Sequence, residues 1–77
     1  MKAIIIDDER LARRELRSLL GKFHEIDVVD ECANADEAIE SISNNNPDLI
    51  FLDIQMPGRN GFELLNALDR VPKVIFV

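Results

Sequence analysis

Ala3-Ile4-Ile5-Ile6-Asp7-Asp8 is the stretch on which the fold turns. Its apolar residues run together without alternating with polar ones, and isoleucine dominates. That pattern suits a strand covered on both faces, as in a parallel sheet between layers of helix. The run then stops on two carboxylates. Leu49-Ile50-Phe51-Leu52-Asp53 repeats the arrangement, an apolar run followed by an acid. If the two strands lie side by side and parallel, Asp7, Asp8 and Asp53 meet at one edge of the sheet. Like charges that close raise one another's pKa unless a cation sits between them. Mg²⁺ fits such a place, because it takes hard oxygen ligands and keeps part of its water.

Between these runs the spacing changes from strand to helix. Residues 9–20 place Leu11, Ala12, Glu15, Leu16, Leu19 and Leu20 on one side as a mainly apolar stripe, with Phe23 close behind. Asp8 and Glu9 open this helix, Arg13, Arg14 and Arg17 follow, and Gly21 can close it as a residue just past the end. A second strand spans Ile26 to Cys32, with Val28 and Val29 as its apolar centre. Asn34, three residues before Glu37, is a capping-box variant. It opens a second helix whose buried stripe is Ala35, Ala38, Ile39 and Ile42. Asn44-Asn45-Asn46-Pro47 ends it. After the third strand, a loop with Pro57 and Gly58 leads to Asn60 and Glu63, which repeat the cap spacing. Phe62, Leu65 and Leu68 form the expected core stripe of a third helix, Val71-Pro72 breaks it, and Val74 to Val77 begins a fourth strand.

The order is βαβαβαβ, which predicts an open parallel α/β sheet. Right-handed crossovers fix the neighbours. For the first and third strands to pair, the second must lie on the far side of the first, so the strand order is 2-1-3-4. The first helix then covers one face and the other two helices cover the opposite face. Ligands in such sheets bind beyond the carboxyl ends of the strands at the switch point, here between the first and third strands. That is where Asp7, Asp8 and Asp53 fall.

Bulk properties bound the function. The 77 residues make one small domain, and an apolar share of 47% is that of a globular chain. A net charge of -6 argues against direct binding of nucleic acid or of an anionic membrane. One cysteine, Cys32, allows no internal disulfide and fits a reducing, cytoplasmic setting. No apolar run approaches membrane-spanning length. Taken singly, Asp7-Asp8 is equally well a helix cap and Asp53 a polar strand end. Together, at the ends of two central strands, they read as a site, in which a carboxylate can hold a cation or attack phosphorus. His24, Cys32 and the arginines of the first helix have plainer readings: a surface residue, a small packed residue and a solvated face with Glu9–Arg13 support.

Ile4-Ile5-Ile6-Asp7-Asp8-Glu9, Pro47-Asp48-Leu49-Ile50-Phe51-Leu52-Asp53-Ile54-Gln55-Met56-Pro57-Gly58 and Asn60-Gly61-Phe62-Glu63-Leu64 resemble the receiver domain of a two-component response regulator, with its flavodoxin-like sheet. Asp8-Glu9-Arg10-Leu11-Ala12-Arg13-Arg14-Glu15-Leu16 is similar to regulators with a LytTR-type DNA-binding output domain. The resemblance implies that Asp53 accepts a phosphoryl group from a sensor histidine kinase. It implies that Asp8 ligates Mg²⁺, that Asp7 acts on the ion mainly through water, and that Gln55 offers its backbone carbonyl. Met56, Pro57 and Gly58 would shape the loop. It also implies a phosphoacceptor rather than an enzyme.

Receivers of this kind carry a Ser or Thr at the end of strand four and a Lys at the end of strand five. Residues 1–77 contain neither, and the fourth strand is expected to be cut short at Val77. Lys73 stands at the wrong end of that strand to substitute. The expectation that follows is a bare face on alternate residues of strands three and four, and self-association through the strand-four edge. The alternative function is a non-switching piece that binds metal or assembles with itself.

Overall fold

The computed structural model describes residues 1–56, 58 and 60–77. Seven elements follow in the order β1 (Lys2–Ile6), α1 (Arg10–Leu20), β2 (Asp27–Cys32), α2 (Ala35–Asn45), β3 (Leu49–Leu52), α3 (Gly61–Asn66) and β4 (Lys73–Phe76). The four strands make one sheet in the order β2-β1-β3-β4, and every pairing is parallel. This is the arrangement that right-handed crossovers require.

Both apolar runs are buried on both faces. Ile4, Ile5, Ile6, Ile50 and Leu52 are fully enclosed. Ile4, Ile6, Ile50 and Leu52 face α2 and α3, where Ala35, Ala38, Ile42 and Leu64 complete the larger core. Ala3, Ile5, Leu49 and Phe51 face α1 and pack with Leu20, Leu16 and Val28. The bare face expected on β3 is therefore not found: Leu49 and Phe51 are only 5% exposed. It is confined to β4, where Ile75, the register partner of Phe51, is 46% exposed.

The helix stripes are narrower than the sequence suggests. Leu11, Leu19 and Phe23 are exposed, and only Leu20 of α1 is buried. One face of one sheet gives α1 a single line of contact. Phe62 is also exposed and packs at a tilt against Phe76, with ring centroids 5.5 Å apart. Leu64 takes the core position instead. The third helix is shorter than expected because Ala67 and Leu68 donate to carbonyls three residues back, which tightens and ends the last turn.

Caps follow the sequence more closely. Asn60 and Glu63 form a reciprocal capping box. Asn34 accepts from the Glu37 N–H at 2.9 Å, but Glu37 returns the bond to Ala33 rather than to Asn34. Glu9 caps α1 through its backbone only, and no acid lies in the first turn. Gly21 ends α1 in the right-handed conformation, so the left-handed glycine ending is not used there.

One feature of β2 has no counterpart in the expected pattern. Ala3 pairs with Val28 and Ile4 with Asp30, so the register skips Val29. A skipped residue inverts the alternation beyond it. Asp30 thereby turns toward α2, where it accepts from the Ser41 hydroxyl, and Glu31 turns toward α1. Val29 is left 36% exposed instead of central in the core.

Asn46 closes α2 with φ 48° and ψ 60°, and its N–H donates to the Ile42 carbonyl. A left-handed residue costs about 1–2 kcal/mol for most side chains and little for glycine. Urea denaturation is expected to show Asn46→Val destabilised by about that amount, with Asn46→Gly near wild type.

Candidate acidic site at the carboxyl end of the sheet

Hydrogen bonding carries the ladder one residue past the strand ends. The Asp53 N–H donates to the Ile6 carbonyl at 2.9 Å, and the Asp7 N–H donates to the Cys32 carbonyl at 3.0 Å. Asp7 and Asp53 are thus fixed side by side at the ends of β1 and β3. With Asp8 they offer carboxylate oxygens that all lie within 4.8 Å of one another. Asp7 and Asp53 are half-buried and Asp8 is exposed.

Each of the two inner acids uses one oxygen locally. Asp7 Oδ1 accepts from the Glu9 N–H at 2.9 Å, and Asp53 Oδ1 accepts from the Gln55 N–H at 2.9 Å. These are Asx-type turns, in which an aspartate holds the backbone two residues on. Among the described residues the second oxygen of each takes no protein donor, and no Lys or Arg pairs with any of the three acids. Burial pushes the Asp7 carboxyl above its usual value of 3.8. The Glu9 N–H bond offsets part of that rise, and the charges of Asp53, Asp8 and Glu9 add to it.

The donor set is made of hard oxygens alone, without His or Cys, which suits Mg²⁺ and not a softer ion. Cys32 lies in the core, where burial pushes its thiol up to about 11, so it is no ligand and no reactive thiol. Gln55 is exposed and touches the site through its backbone. Met56 is 6% exposed and anchors the loop to the larger core. Gly58 has φ +81°, a left-handed value that glycine adopts without strain. Pro57 lies outside the described residues. Lys73 pairs in register with Leu49, at the opposite end of the sheet from Asp53.

Two contributors were not singled out from sequence. A Cβ on Gly61 would stand 3.0 Å from the Ile54 Cα and 3.2 Å from the Asp53 carbonyl oxygen. Gly61 therefore lets α3 close directly onto the peptide after Asp53, and its N–H donates to the Ile54 carbonyl. A glycine at the first helical position, poor in propensity, was the available signal. The second is Arg13. Instead of standing in solvent beside Glu9, it pairs with Glu31 at 3.4 Å and donates to the Asp7 carbonyl at 2.7 Å. Nothing in the local spacing marks it among four arginines of one helix.

A family model described as the response regulator receiver domain matches residues 3–77. An uncharacterized response regulatory protein of Yersinia pestis is 48% identical over all of this chain. The transcriptional regulatory protein BtsR of Salmonella typhi is 47% identical, also over all of it. The sensory transduction protein LytT of Bacillus anthracis is 39% identical over 99%. The chain spans about a third of the length of these relatives, 33%, 33% and 32% respectively. Among solved structures, the response regulator domain of Thermotoga maritima CheB superposes with a TM-score of 0.88 at 29% identity, covering 99% of this chain and 58% of that one. A CheX–CheY–BeF3–Mg²⁺ complex from Borrelia burgdorferi gives 0.86 at 26% identity, covering 99% and 60%. Among the described residues no helix is long and apolar enough to cross a membrane.

The raised Asp7 carboxyl sets a pH dependence. A proton binds the folded state more readily than the unfolded one, so ionising Asp7 costs stability. The cost is absent below the ordinary carboxylate range and grows as pH rises through the folded value. Urea midpoints measured without divalent ions are expected to be higher for Asp7→Asn than for wild type at neutral pH. The two should converge below about pH 4, and Mg²⁺ should narrow the neutral-pH gap.

Proposed function

This chain belongs to the response regulator receiver domain family, and from that premise we propose that Asp53 is its phosphoacceptor, with Asp7 and Asp8 as the acids of a Mg²⁺ site. The convergence of the three carboxylates at the ends of β1 and β3 is the observation that carries this reading. The acids lack a cation of their own among the described residues. Phosphoryl transfer needs positive charge near the non-bridging oxygens, together with in-line positioning. Bound there, Mg²⁺ supplies that charge. A neighbour in fold at 26% identity was solved with BeF3 and Mg²⁺, which agrees with the choice of ion.

The protein's own groups do the rest. Asp53 sits at the mouth of the site with Oδ1 committed to the Gln55 N–H, so its other oxygen is the one free to react. That oxygen forms a bond to phosphorus as the bond from phosphorus to the donor breaks. With a sensor histidine kinase as donor, the imidazole nitrogen departs with the electron pair. The Gln55 backbone carbonyl is the remaining candidate ligand, and Met56 and Gly58 shape the approach. The acceptor is consumed in the step and does not turn over as an enzyme. The resemblance to LytT and BtsR extends the proposal to a longer parent protein with a DNA-binding output domain, acting in transcription regulation in the cytoplasm. Nucleic acid would then be bound by that domain and not by residues 1–77.

Incubation with acetyl phosphate and Mg²⁺ is expected to add one phosphoryl group, read by mass spectrometry. Asp53→Asn should remove the gain, as should a chelator, whereas Gln55→Ala should keep it. A gain that survives Asp53→Asn would reject the assignment.

A second reading rests on β4. Among the described residues it is an outer strand, and Ile75 and Phe76 are 46% and 47% exposed. We propose that, for residues 1–77 on their own, this edge pairs with a second copy, because unpaired N–H and C=O groups beside apolar side chains template another strand. Sedimentation equilibrium is expected to give a mass that rises with concentration, and Ile75→Lys should lower it. A single monomeric species at all concentrations would overturn the proposal.

A further inference from the structure

We infer that Arg13 is a positioning residue for the acidic site, holding the peptide plane between Asp7 and Asp8 while Glu31 holds Arg13. The inference rests on reading the three acids as a divalent-cation site. The carbonyl that Arg13 grips at 2.7 Å belongs to the peptide joining Asp7 to Asp8. Turning that plane would swing both acid-bearing Cα–Cβ bonds.

The ladder itself gives out at this point. The Asp7 N–H, one residue past β1, still finds a partner on β2, in the Cys32 carbonyl. Among the described residues no backbone N–H donates to the Asp7 carbonyl, so Arg13 supplies the bond that the sheet no longer can. The Arg13 side chain is 16% exposed, against 50% for Arg17. A guanidinium is withdrawn from water that far only where its donors are paired. Its Nε faces Glu31 Oε1 at 3.4 Å, and its Nη1 faces the Asp7 carbonyl. Glu31 is held in turn by Arg17 Nη1 at 2.7 Å. A planar fork can serve a carboxylate and a carbonyl at once, which the single ammonium of lysine does poorly. The whole relay depends on the skipped Val29, which turns Glu31 toward α1.

Mg²⁺ affinity separates this role from two simpler ones, because the three predict different signs. A residue that aligns ligands from outside the coordination shell is worth about tenfold or more in metal affinity. A residue acting only as a nearby positive charge would repel the ion, so its removal would tighten binding. A residue acting only as a brace would lower stability and leave affinity alone.

The experiment is a Mg²⁺ titration of the 77-residue protein by calorimetry, with urea midpoints measured alongside. Arg13→Met is expected to weaken Mg²⁺ binding by about tenfold. Arg13→Lys, which keeps the charge but loses the fork, should fall between it and wild type. Glu31→Gln should weaken binding in the same direction by less, and it tests the relay even if Arg13→Met fails to fold. Wild-type saturation with equal or tighter binding by the Arg13 and Glu31 variants would overturn the inference and leave the site reading intact. Absence of Mg²⁺ binding by wild type, matched by Asp53→Asn, would overturn the site reading and the inference with it.

Discussion

Three carboxylates cannot share a few ångströms without a cost, and the architecture of this chain is arranged around imposing that cost in one place. Parallel pairing of β1 with β3 brings the strand ends level, and the Asp53 N–H on the Ile6 carbonyl fixes the register. Once the strands are parallel they need crossovers, the crossovers need helices on both faces, and both strands must then be apolar throughout. Ile4, Ile5, Ile6, Ile50 and Leu52 meet that demand. The burial that stabilises the sheet also restricts the solvent around Asp7. Core and site are therefore opposed in energy and joined in geometry.

Asp7 and Asp53 divide their labour in the same way. One oxygen of each ties down the backbone two residues on, which orients the carboxylate without neutralising it. The other oxygen points no claim at the protein. A fully paired carboxylate would be more comfortable and chemically inert. Gly61 serves the same economy of space from the other side, since α3 can approach the Asp53–Ile54 peptide only where no Cβ intervenes.

The features legible in sequence are those set by local composition or by handedness. Apolar runs, the Asn46 stop and the Asn60–Glu63 box are written into neighbouring residues, and chirality turns the element order into a strand order. The acids at the strand ends follow from these, and the family resemblance assigned them roles. What sequence hid depends on partners distant in the chain. Val29 looks like core until β1 imposes a register that omits it. Arg13 looks like Arg10 and Arg14 until Glu31 arrives from β2. Phe62 looks like core, yet the helix phase set by Gly61 gives that place to Leu64. In each case a residue's type is ambiguous and its register decides.

The skipped residue on β2 also bears on how many copies an edge-to-edge assembly could hold. Among the described residues β2 is the outer strand opposite β4, and it presents a break in its ladder together with the exposed acid Asp27. Irregularity and like charge both discourage another strand from adding there. On the proposal that β4 pairs with a second copy, the sheet is receptive on one side and closed on the other. Two copies meeting by β4 would turn both closed sides outward, and growth would end. The stoichiometry of such an assembly would be set at two by a residue that lies at neither interface nor site.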